Sequence, residues 1–202
     1  MELRFAVLGD SIAYGQGAAR SADTIGPRLA TALTDAGTPT ELRVFAVPGA
    51  RSDALAAQTR RALSWGPQVA LVIIGANDLT RLVPPELAAR QLADAVQSLR
   101  AASVQVVVAP APDLSVLPGV PARMRAVVRA GSAALRAAQK RAALRAGALV
   151  ADVEEATSAA FAADVGLFSA DRFHPSSAGY AVIAAALEPA VRAAAERACG
   201  QV

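Results

Sequence analysis

The stretch Leu3-Arg4-Phe5-Ala6-Val7-Leu8 runs without a break into Gly9-Asp10-Ser11-Ile12-Ala13-Tyr14-Gly15. A short apolar run closed by Gly-Asp-Ser has the length of a strand and ends in residues that favour a tight turn. Apolar runs of similar length recur at Leu42–Val47, Val69–Ile74, Val104–Ala109 and Ala148–Val153. Between them lie helical patterns near Thr24–Ala36, Asp53–Ser64, Pro85–Ala101 and Pro121–Ala146, and a last one reaches from Pro175 to Ala198. The Pro-rich segment Pro110–Pro121 reads as a loop between a strand and a helix. Near-continuous apolar runs, in place of in-out alternation, belong to strands covered on both faces. The alternation of strand and helix therefore predicts an α/β fold, one domain over residues 1–202, with a parallel sheet sandwiched between helices. Sheets of that kind bind ligands in the crevice beyond the carboxyl ends of their strands.

Composition narrows the function classes. With 54% of its 202 residues in the AVILMFWYC set, 18% charged and 12 prolines, the chain has the makings of a real core and is neither disordered nor fibrous. Its apolar runs fall far short of the ~20 residues of a membrane span, so no membrane-spanning segment is expected. The amino-terminal Met1-Glu2-Leu3-Arg4 lacks the charged start, apolar stretch and cleavage site of a secretory signal, which makes a cytoplasmic location the expectation. Cys199, the one cysteine, cannot close an intrachain disulfide. Neither a His-Glu-x-x-His motif nor a cysteine cluster suggests zinc, and Gly15-Gln16-Gly17 does not stand where a dinucleotide fingerprint would, so no metal or cofactor is expected.

Arg123, Arg125, Arg129, Arg136, Lys140, Arg141 and Arg145 follow one another with no acidic residue between them. Such a run suits either an anionic partner, nucleic acid or membrane, or a solvated helix face. At about 100° per residue Arg125, Arg129, Arg136 and Lys140 share one stripe, Arg123, Arg141 and Arg145 another, and Met124, Val128, Leu135 and Ala142 form a separate apolar face. Without interleaved aromatics the pattern favours the solvated face, and no nucleic-acid partner is expected.

Three strand ends carry polar residues suited to chemistry. Ser11 follows Asp10 on the turn after the first strand, where its hydroxyl is expected to be exposed; a serine needs a neighbouring base to act as a nucleophile, and Gly-Asp-Ser is also a common turn. His174 is the one histidine, with Asp171 three residues before it and Pro175 suited to the first position of the following helix. That spacing lets the carboxylate fix the imidazole tautomer, although a packed or helix-capping histidine fits the same residues. The third strand runs into Gly75-Ala76-Asn77-Asp78, where the Asn77 amide could face a developing oxyanion, and Gly49 after the second strand permits close approach of its backbone N–H. Turn chemistry alone accounts for each of these singly.

Taken together, Gly-Asp-Ser at 9–11, Gly49, Gly-x-Asn-Asp at 75–78 and Asp-x-x-His at 171–174, in that order, resemble the SGNH hydrolases, the GDSL-type esterases and lipases. The resemblance implies a flavodoxin-like three-layer α/β/α sandwich with a five-stranded parallel sheet in the order 2-1-3-4-5. It implies Ser11 as nucleophile, His174 as base and acid, Asp171 as its orienting carboxylate, and an oxyanion hole from the Ser11 and Gly49 backbone N–H groups with the Asn77 side chain. Asp10, Gly75 and Asp78 complete the motifs. No metal is implied. Isoleucine stands at 12 where leucine is commonest in the first block, and the asparagine often found before the glycine of the second is missing, since Pro48 precedes Gly49.

The expected activity is serine carboxylester hydrolysis through a covalent acyl-enzyme, with a small-molecule ester as substrate. Short-chain acyl groups are expected, because a chain near the minimal size for this fold leaves little sequence for a lid. Leu82, Val83, Leu114, Val116 and Leu117, in loops after the third and fourth strands, either line the acyl site or pack as ordinary loop residues. Lysophospholipase, acyl thioesterase and acyltransferase activities are variants of the same chemistry; a non-catalytic ligand-binding module is the alternative of a different class.

Overall fold

The computed structural model describes residues 2–200. Met1, the first residue of the stretch weighed as a secretory signal, and the last two positions of the expected 1–202 domain lie outside the described residues. Strands β1 (Leu3–Gly9), β2 (Thr40–Val44), β3 (Val69–Ile73), β4 (Gln105–Ala109) and β5 (Leu149–Val150) form one sheet. All pairings are parallel, in the order β2-β1-β3-β4-β5. The helices are α1 (Ser11–Tyr14), α2 (Ile25–Asp35), α3 (Leu55–Trp65), α4 (Ala76–Thr80), α5 (Pro85–Ala101), α6 (Ala122–Arg145), α7 (Glu154–Ala163) and α8 (Ser177–Cys199).

Alternate residues of the central strands face opposite layers, which is why their sequences are apolar but for Arg4 and Gln105 near their starts. Phe5, Val7, Leu71 and Val107 point to α2 and α8, meeting Leu29, Leu187 and Val191. Ala6, Leu8, Val72 and Val106 point the other way, to Leu55 of α3 and Leu92, Val96 and Leu99 of α5. In register, Gly9 lies beside Ile73 and Ile73 beside Ala109, so the polar residues after β1, β3 and β4 emerge at one level. The strand order reverses between β1 and β3, and that switch point is where open α/β sheets place their ligands.

The edges differ from expectation. β2 begins at Thr40 and stops at Val44, although Phe45 and Val47 still donate their N–H groups to Val7 and Gly9. It is an edge strand, and Val44 and Val47 stay 39% and 44% exposed, so this run is not covered on both faces. β5 is only two residues long, with Ala151 extending the contact through its N–H to Val108. Helices α1, α4 and α7 have no counterpart in the periodicity: α1 and α4 are too short to show a 3.6-residue repeat, and half of α7 is alanine. Of the expected apolar face of α6 only Leu135 is buried; Val128 and Ala142 are half-buried and Met124 is 42% exposed. By length and composition α8 could cross a membrane; in the fold its Tyr180, Leu187, Val191 and Ala194 are fully buried core.

Candidate active site

β1 ends at Gly9, whose φ of +137° suits only glycine and whose Cβ, if present, would stand 1.7 Å from the Ile73 carbonyl oxygen. Buried Gln58 of α3 brackets this residue: Gly9 N–H donates to Gln58 Oε1 at 2.7 Å and Gln58 Nε2 donates to Gly9 O at 2.9 Å. Asp10 then caps α1 by accepting the Ile12 N–H at 3.0 Å. Its burial pushes the carboxyl up to about 6, against hydrogen bonds from the Ile12, Ala76 and Gly75 backbone and with the nearby Asp78 charge adding to the rise.

The turn delivers Ser11 to His174. Ser11 Oγ lies 3.0 Å from His174 Nε2, and His174 Nδ1 lies 2.6 Å from Asp171 Oδ2. The other Asp171 oxygen accepts the N–H groups of Phe173 and His174, each at 2.9 Å, and the Ser169 hydroxyl at 2.8 Å. Desolvation opposes ionisation of Asp171, but these bonds outweigh it and hold the carboxyl well below the usual range. A carboxylate on Nδ1 fixes the neutral tautomer with its proton there, leaving Nε2 as an acceptor facing the serine.

Two expectations are corrected here. Ser11 is not exposed: it retains 3% of its surface, because its hydroxyl is turned onto the imidazole. Pro175 does not open the last helix. Ser176 caps α8 with its hydroxyl accepting the Gly179 N–H, while Pro175 bridges to Phe168 and His174 O accepts the Ser169 N–H. His174 is thus held in a short bridge ahead of the helix and does not cap it.

Beside the serine, the Gly49 loop is fastened to α4. Asn77 Nδ2 donates to Ala50 O at 3.0 Å, which uses one of the two amide protons and leaves the other for a ligand. Fully buried Asp78 accepts the Ser52 N–H at 3.1 and 3.2 Å and the Ser52 hydroxyl at 3.0 Å. Burial raises the Asp78 carboxyl, and the Ser52 bonds offset part of that rise. Gly49 itself has φ +80°, and its N–H, like that of Ser11, makes no hydrogen bond among the described residues. Gly75, at the end of β3, opens α4 and so brings Asn77 and Asp78 to this loop.

A trough of about 920 Å³ opens beside Asp171 and Phe173. Leu79, Leu82 and Val83 form one wall, and Leu117, Met124 and Val127 the other. Of the expected lining residues, Leu82, Val83, Leu114 and Leu117 belong to it. Val116 instead lines a smaller cavity of about 80 Å³ that includes Ile12, Phe161, Phe168 and Phe173. Among the described residues no group of three or more His, Cys, Asp or Glu side chains is placed to hold a metal ion.

Sequence reading missed Ser52, Gln58, Ser169 and Gln139, whose amide joins Ala111 N–H to Ile74 O at the ends of β3 and β4. Gln58 left a signal, since it sits in the buried stripe Leu55, Thr59 and Ala62 where an apolar residue is the rule. Gln139, buried in the α6 stripe of Leu135, Ala138 and Ala143, leaves the same signal, whereas Ser52 and Ser169 leave none.

Comparison with known proteins bears on the same residues. The model of the GDSL-like lipase/acylhydrolase family matches residues 7–182. A GDSL-like esterase of Mycobacterium tuberculosis (strain ATCC 25618 / H37Rv) is 34% identical over 195 residues, covering 95% of this chain and 62% of the relative, so this chain spans under two thirds of that protein's length. Among solved structures, TesA superposes with a TM-score of 0.77 at 20% identity, over 95% of this chain and 99% of its own. The psychrotrophic esterase EstA from Pseudoalteromonas sp., inhibited by monoethylphosphonate, gives 0.71 at 16% identity over 95% and 97%. At these identities the superpositions speak for the fold, and the family match carries the assignment: this chain belongs to the GDSL-like lipase/acylhydrolase family.

Proposed function

We propose that this chain is a serine carboxylester hydrolase that works through a covalent acyl-enzyme on Ser11. The observation that carries this reading is the unbroken chain of hydrogen bonds from Ser11 Oγ through the His174 ring to Asp171. In the first step the Ser11 oxygen attacks the ester carbonyl as Nε2 takes its proton, and Asp171 stabilises the imidazolium. The tetrahedral oxyanion accepts hydrogen bonds from the Ser11 and Gly49 N–H groups and the second amide proton of Asn77. His174 returns the proton to the leaving alcohol, and water repeats the sequence on the acyl-enzyme.

A trough of about 920 Å³ beside Phe173, with apolar walls, supports a longer acyl chain as the group it accommodates. Hydrolysis of p-nitrophenyl esters from acetate to palmitate, with the Ser11→Ala protein as blank, tests both parts. Serine-dependent turnover with kcat/KM rising beyond butyrate is expected. A maximum at acetate would remove the trough from the account, and turnover equal in Ser11→Ala would remove the serine mechanism.

A further inference from the structure

α6 resolves its seven basic residues into two groups. Arg129 pairs with Asp113, Arg136 with Glu154, Lys140 with Asp152 and Arg141 with Glu86. Arg123, Arg125 and Arg145 have no acidic partner among the described residues, and the first two flank Met124 on the exposed first turns of the helix. There Met124, Val127, Val128 and Gly131, spaced i, i+3, i+4 and i+7, form the wall of the trough. Met124 is 42% and Val127 64% exposed, and across the opening Leu82 is 87% exposed. Leu82 holds φ +53°, an uncommon conformation for a branched residue, strained for no contact that its exposed side chain repays within the fold.

The charge around this apolar rim is one-sided. With Arg129 paired to Asp113, the segments 79–85, 114–132 and 171–173 contain four further arginines, at 81, 123, 125 and 172, against one acidic residue, Asp171, whose carboxylate is engaged by His174. A second copy packed face to face would set like charges together, and nucleic acid would leave Leu82 without an apolar partner. An anionic lipid surface answers both features, apolar side chains entering the acyl boundary while arginines meet the phosphates.

We propose that this face, Leu82, Met124 and Val127 ringed by Arg81, Arg123, Arg125 and Arg172, docks the protein on anionic lipid surfaces. Docked this way, the trough opens into the lipid, and an apolar chain enters it without crossing water. The docking does not depend on the chemistry at Ser11.

Flotation of the full chain with vesicles of phosphatidylcholine, alone or mixed with phosphatidylglycerol, tests the proposal. The protein is expected to float with the mixed vesicles, to stay behind with phosphatidylcholine alone, and to be released by high salt. The double variant Arg81→Glu/Arg123→Glu should lose about tenfold or more in vesicle affinity while hydrolysing soluble p-nitrophenyl acetate as the parent does, which shows it folded. Val127→Asp should also stay behind, and Ser11→Ala should float normally, so that failure of docking and failure of the serine mechanism are separate results. Absence of flotation with the mixed vesicles, or equal flotation of the double variant, overturns the proposal. So does elution at twice the monomer mass that Val127→Asp abolishes, which would assign the face to a second copy.

Discussion

The fully buried carboxylate of Asp78 accepts both the backbone N–H and the hydroxyl of Ser52, tying the Gly49 loop to the end of β3. Gly49 stands in the turn closed by the Ala50 N–H to Val47 O, and nothing lies within 4 Å of where its Cβ would be. Its position in the proposed oxyanion hole is set by that turn together with the Asp78–Ser52 link and Asn77, which holds Ala50.

Asp78→Ala should accordingly lower kcat by ~10²-fold, the cost of one lost oxyanion donor, with KM for a soluble ester little changed. Ser52→Ala, which keeps the backbone N–H bond, should cost less. Steady-state kinetics of folded variants decides this; a rise in KM at constant kcat would assign Asp78 to substrate binding.

Asp10 sets a pH dependence of stability. Its carboxyl titrates near 6 in the fold against 3.8 ordinarily, because it is buried. A group more easily protonated when folded contributes its full stabilisation below 3.8 and loses it as the pH rises through about 6. Stability should fall across that interval by on the order of 3 kcal/mol from this group. Asp171, held below its usual range, works in the opposite direction and only at more acidic pH. Urea unfolding at a series of pH values should show the fall in the parent and a flatter profile in Asp10→Asn; equal slopes would contradict the assignment.

Ser11→Ala and His174→Ala should each remove nearly all turnover, and the double variant should be no worse than either, because the two side chains act as one unit. Asp171→Asn keeps a side chain that can still accept the backbone bonds but no longer favours the Nδ1 tautomer, so kcat should drop by up to ~10⁴-fold with the fold intact. Additive losses in the Ser11/His174 pair would mean that the residues act separately.

What the sequence disclosed, and what it hid, divides by range. The central strands are legible because Leu3–Leu8 and Val69–Ile74 are buried on both faces, and Pro85–Ala101 is legible because its apolar residues repeat at helical spacing. Edge strand β2 was misplaced by two residues at its start, since half-exposed residues relax the pattern. In the site, Ser11, Asn77, Asp171 and His174 stand in motifs whose spacing is local. Ser52, Gln58 and Gln139 act across 26, 49 and up to 65 residues, respectively, and no local pattern reports on such pairs.

Gln58 offers a stability test of that long-range support. Gln58→Leu keeps the size of the side chain but leaves the buried N–H of Gly9 unpaired, while Gly9 O keeps the Val47 N–H, which should cost roughly 1–3 kcal/mol. Activity should fall with it, since Gly9 leads directly into Asp10 and Ser11. A variant as stable as the parent by thermal melting would mean that water replaces the bond to the Gly9 N–H.

Mass spectrometry of the protein after reaction with a p-nitrophenyl alkylphosphonate, followed by peptide mapping, reads out the covalent intermediate on Ser11. One alkylphosphonyl group per chain is expected, located on Ser11, with none on Ser11→Ala and strongly slowed labelling of His174→Ala. Labelling at another residue, or of Ser11→Ala at the parent's rate, would contradict it.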